Sequence, residues 1–64
     1  MTTYGTEFSA INRAVQLSER EFLNEIVIVY QRTNGDFGVT VEAEYTGLDE
    51  NVRGKYLNGH LAPA

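Results

Sequence analysis

An Asn-Gly dipeptide at residues 34 and 35 separates two runs rich in β-formers, Glu25 to Arg32 and Phe37 to Tyr45. Asn-Gly between apolar alternations is a strong hairpin signal, because both residues of the tight turn must accept positive φ. With Asn34 and Gly35 as a two-residue loop, Thr33 faces Asp36 and the register runs outward from there. Ile26, Ile28 and Tyr30 then oppose Ala43, Val41 and Val39, all on one face, which becomes the core face. On the other face Gln31 opposes Gly38, Val29 opposes Thr40, and Val27 opposes Glu42. Pairing frays where Glu25 meets Glu44, since like charges directly opposite repel.

Val27 and Val29 stand out on that second face, which strand two makes polar. Either a further element covers them, or they and an unpaired strand edge contact another chain. Val27, Val29, Thr40, Glu42 and Glu44 therefore form the candidate interaction surface.

Upstream, Phe8, Ile11 and Val15 recur at helical spacing with Ala10 and Ala14 alongside, which predicts an amphipathic helix capped by Thr6. Ser18-Glu19-Arg20-Glu21 fits a second capping box, with Leu17 and Phe22 placed as its staple. The helix either breaks at Ser18 or continues to Leu23, and with no Gly or Pro to interrupt it the continuous helix is favoured.

Downstream, Thr46-Gly47 marks a turn. Asp49 suits an N-cap and Asn58-Gly59 a stop for a short helix with Val52 and Tyr56 on one face. Gly54 weakens that helix by about 1 kcal/mol, so an extended segment through Lys55-Tyr56-Leu57 is the alternative. Residues 1–5 and 60–64 read as flexible ends. The expected fold is α+β: an N-terminal amphipathic helix on an antiparallel hairpin of strands about 25–32 and 37–45, followed by a short C-terminal helix or third strand.

Sixty-four residues suffice for a single domain, and 42% apolar residues are too many for a disordered tail. Without cysteine, neither a disulfide nor a thiolate metal site is open, which suits a reducing cytoplasm. The longest apolar run, Ile26 to Tyr30, is far short of the roughly 20 residues that cross a bilayer. Met1 to Gly5 lacks the basic and apolar blocks of a signal peptide. A net charge of −4, with Arg13, Arg20, Arg32, Arg53 and Lys55 dispersed, argues against binding driven by phosphate neutralisation. A domain this small is marginal, and in the absence of disulfides or metal, self-association or a larger partner is the remaining support. Size thus favours, by a narrow margin, a homodimer or an obligate partner over a monomer.

Catalytic signatures are sparse. There is no phosphate-binding glycine loop ending in Lys-Ser/Thr, no pair of histidines and no cysteine nucleophile. The Asp36-Phe37-Gly38 triplet is hairpin composition, and His60 has no second histidine beside it. On a strand, Glu42 and Glu44 would sit about 7 Å apart on one face, near the spacing of paired-carboxylate hydrolases. So small a domain can hardly wall off the pocket such a pair needs. Four tyrosines are many for this length and suit an interface. Acids around Tyr45 disfavour a platform for single-stranded nucleic acid.

The expectation is a small, cytoplasmic, non-enzymatic protein-binding protein, an adaptor or inhibitor that needs no cofactor or metal. Its size is also that of many phage and mobile-element proteins. Two alternatives are an acidic nucleic-acid mimic, using Glu42, Glu44, Asp49 and Glu50 to block a basic groove, and a small structural or assembly component.

Overall fold

Helix α1, Glu7–Arg20, starts at its sequence cap: Thr6 is extended (φ −128°, ψ 150°) and its Oγ1 accepts from the Ser9 N–H at 3.2 Å. The computed structural model describes residues 3–63. Ala10, Ala14 and Ser18, spaced by four, are fully buried, and these small side chains let the helix lie close on its support. The helix passes through Ser18 without a break. It ends where the Glu21 and Phe22 N–H groups both turn back to the Leu17 carbonyl, at 3.0 and 2.9 Å. Asn24 then takes positive φ (64°), and no second helix starts. Ser18 is therefore no N-cap. Its Oγ donates to the Val15 carbonyl (2.9 Å) and accepts from the Gly59 N–H (2.9 Å), tying the helix to a turn far along the chain.

Five antiparallel strands lie beneath α1: β1 (Thr3–Tyr4), β2 (Val27–Gln31), β3 (Phe37–Val41), β4 (Val52–Leu57) and β5 (His60–Leu61), in the order β1-β3-β2-β4-β5. The α+β class, the helix on a hairpin and the additional strand agree with the sequence. The strands of the hairpin are shorter than expected, and the stretch 52–57 resolves as strand rather than helix. Residues 3–4 and 60–61, expected to be flexible ends, form the two outer strands. Residues 1, 2 and 64, expected to be flexible, lie outside the described residues.

The hairpin register needs a correction. Val27 pairs with Val41, Val29 with Val39 and Gln31 with Phe37, one residue away from the register of a two-residue loop. The loop is Thr33-Asn34-Gly35. The Gly35 N–H closes a turn on the Arg32 carbonyl (3.0 Å), Gly35 adopts φ +94°, and the Arg32 N–H reaches the Asp36 carbonyl (2.8 Å). This is the three-residue solution, a type I turn followed by a left-handed glycine. A two-residue Asn-Gly turn does occur, at Asn58-Gly59 (φ 50° and 85°) between β4 and β5. There it closes a hairpin and does not stop a helix.

A slip of one residue exchanges the two faces of a strand. Val27 and Val29 turn towards α1 with Phe37, Val39 and Val41, while Ile28, Tyr30, Gly38 and Thr40 take the far side. Val27, Val29, Ala10 and Ala14 are the centre of the core, ringed by Tyr4, Ile11, Phe22, Phe37, Val39, Val41 and Tyr56. Ile28 is also buried, so β2 is covered on both sides and contributes about 1.5–3 kcal/mol for each of its three buried side chains, Val27, Ile28 and Val29.

Candidate functional site

Since β2 lies between β3 and β4, the chain leaving Val41 must cross β2 to reach Val52. Residues 42–51 make that crossing as a strap with a 3₁₀ turn near each end, Glu42–Glu44 and Asp49–Asn51. It runs on the face away from α1. The Tyr45 ring meets that of Tyr30, 5.1 Å between centroids and tilted by 45°. Lys55 Nζ reaches Glu42 Oε2 at 2.9 Å. The strap closes on itself where Tyr45 Oη donates to the Leu48 carbonyl at 2.6 Å.

Glycines seat both rings. Across the hairpin, a Cβ on Gly38 would lie 2.5 Å from Tyr30 Oη, and one on Gly47 would lie 2.6 Å from Tyr45 Oη. A third tyrosine repeats the arrangement on β4, where a Cβ on Gly54 would come within 2.9 Å of Tyr56 Oη. Aromatic rings laid over strand glycines cover backbone that the glycine leaves bare, and they help pin register.

Between the strap and the tip of the β2–β3 hairpin lies an open groove of about 310 Å³, lined by Tyr30, Thr40, Glu44, Tyr45, Thr46 and Gly47 among others. Its aromatic floor is half-buried, and Leu48 beside it on the strap is 61% exposed. Thr40 and Glu44 are thus brought together at the groove. Glu42 sits on the strap in its pair with Lys55. Val27 and Val29 belong to the opposite side of the sheet and are fully buried beneath α1. That corrects their assignment to an exposed face. They are not on an open edge either, because β2 pairs with both β3 and β4. The further element that covers them is the helix.

The hydrogen bond from Lys55 to Glu42 and the Glu42 charge, helped by Asp49, raise the Lys55 pKa above its ordinary value. On the helix side, burial raises the Tyr56 pKa, with the Glu7 charge adding to it. Glu42 and Glu44 occupy a 3₁₀ turn, not a strand, so the strand spacing expected for a carboxylate pair does not apply. His60 is exposed on β5. Among the described residues no three His, Cys, Asp or Glu side chains are grouped to hold a metal ion. No helix among them is long and apolar enough to cross a membrane.

Compared with models of protein families, with curated proteins and with solved structures, the chain matches none of them. The site is therefore read from its geometry. Sequence reasoning missed the meeting of Tyr30 and Tyr45 over the sheet. The signal available was Gly38, which faces Tyr30 only when the hairpin loop has three residues.

Proposed function

We propose that the chain is a small non-enzymatic protein-binding domain, an adaptor or inhibitor, that engages its partner through the strap side of the sheet. The observation that carries this reading is the pair Tyr30–Tyr45, fixed over glycines at an open groove with exposed Leu48 beside it. Tyrosine gives a large contact area at small cost in side-chain entropy, and a ring already held in place loses little more on binding. The groove is at the lower end of the roughly 300–1,000 Å³ of small-molecule sites and is open, which suits a side chain of a protein partner better than an engulfed ligand. A second copy of the chain is one such partner, and the lack of cysteine fits work in the reducing cytoplasm.

Site-specific photo-crosslinking in the native host tests the assignment. A crosslinker in place of Thr46 should yield a discrete adduct that Tyr45→Ala suppresses, and one in place of Arg13 on the outer side of α1 should not. Equal adducts at both positions, or none at Thr46, would refute it.

A second reading, nucleic-acid mimicry, draws support from the four carboxylates of Glu42, Glu44, Asp49 and Glu50 on the one strap. It requires partner affinity that falls steeply with ionic strength. Salt-insensitive binding would rule it out.

A further inference from the structure

We infer that the groove receives a cationic side chain of the partner, arginine before lysine. This rests on the protein-binding reading of the same groove and names the chemistry of what enters it. The floor offers the rings of Tyr30 and Tyr45, and a cation within about 6 Å of an aromatic centroid is drawn to its face. Glu44 lines the same groove, and Asp49 and Glu50 stand further along the strap. The chain's own cations nearby are already engaged. Arg32, which itself lines the groove, is paired 3.4 Å from Asp36, Lys55 is on Glu42, and Arg53 donates to Gln31 Oε1 (2.8 Å) and to the Glu50 carbonyl (3.3 Å). Among the described residues, Glu44, Asp49 and Glu50 have no ion pair within 4.0 Å. Charge at the strap therefore favours a cation from outside and repels a carboxylate or phosphate. A guanidinium meets both features at once, because it stacks on a ring while its edge donates to a carboxylate, and it gives up hydration more easily than an ammonium.

The test is an NMR titration of the ¹⁵N-labelled chain with a capped Gly-Arg-Gly peptide, beside its citrulline and glutamate counterparts. The arginine peptide should shift the amides of Thr40, Tyr45, Thr46 and Gly47 saturably, at millimolar concentration. The neutral citrulline peptide should bind about tenfold more weakly, a loss of one charge-assisted contact. Glu44→Gln, an exposed and isosteric change, should weaken the arginine peptide and leave the spectrum elsewhere unchanged. Equal binding of arginine and citrulline, no saturable shift at the groove, or equal shifts around Glu19 and Glu21 on α1 would each overturn the inference. If the arginine peptide fails while a Thr46 crosslinker still captures a partner, the cation is wrong and the protein-binding reading stands. If both fail, both fall.

Discussion

Replacing Gly38 with alanine tests the seat of Tyr30 directly. The new Cβ would lie 2.5 Å from Tyr30 Oη and 2.9 Å from Cε1, well inside contact distance. Gly38 has no positive φ, so the backbone itself accepts alanine, and the smaller entropy of the unfolded chain favours the change by about 0.4–1 kcal/mol. The ring, however, must swing away from both β3 and Tyr45. Losing the aromatic pair costs about 0.5–1.5 kcal/mol, and the strained packing that remains costs about 1–3 kcal/mol. The balance is a destabilisation of about 0.5–4 kcal/mol, and each kcal/mol lowers the Tm of a domain of this size by about 4–8 °C. A double-mutant cycle separates the ring from everything else. In a Tyr30→Ala background the atoms nearest the methyl group are gone, so Gly38→Ala should stabilise by the entropic amount alone, giving a coupling of about 1.5–4.5 kcal/mol. Thermal unfolding of the four proteins, followed by circular dichroism, supplies every value. A Gly38→Ala cost that is the same in both backgrounds would refute the seat and the register that creates it.

Other outcomes follow from the same contacts. Ser18→Ala leaves the Gly59 N–H without its buried acceptor and should cost about 1–3 kcal/mol in a urea titration, with faster hydrogen exchange at the Gly59 amide as the local sign. Val29→Arg puts a charge into the centre of the core and should abolish cooperative unfolding; a folded, fully stable variant would contradict the placement of α1. Lys55 and Tyr56 both have raised pKa values, so the native state holds their protons more tightly than the unfolded chain does. Their stabilisation is present below the ordinary lysine and tyrosine values and is lost as pH rises through the folded ones. Urea midpoints should hold through neutral pH and decline above about pH 10, with Glu42→Gln removing the Lys55 share alone. A midpoint that rises in alkali would reverse the sign.

The elements were legible in the sequence and one register was not. The helix could be read because Ala10, Ala14 and Thr6 follow purely local rules, and so could the existence of the hairpin. The face that meets the helix could not. Strand β2 is apolar on both parities, Ile28 and Tyr30 on one and Val27 and Val29 on the other, because it is covered on both sides. Either set can be matched to Val39 and Val41, and only the loop length decides between them. Asn34-Gly35 fits both loops, since the left-handed glycine is needed in each. The strap was illegible for another reason. That residues 42–51 cross β2 depends on where β4 pairs, a contact distant in sequence that no local pattern encodes. Thr40 and Glu44 reached the groove from a surface drawn in the wrong register, and the two valines drawn with them did not.

The outermost strand on the β4 side limits how another chain can join the sheet. In β5, His60 pairs with Leu57 and the Ala62 N–H bonds to the Lys55 carbonyl, so Leu61 is the residue whose N–H and C=O point outward. The next outward position is Pro63, which has no N–H, and on the other side the Gly59 N–H is occupied by Ser18. An incoming strand would find a single donor along that edge. The sheet is thus poorly suited to grow into a fibre there, and a partner that meets this edge must be recognised by side chains and not by extending the backbone ladder.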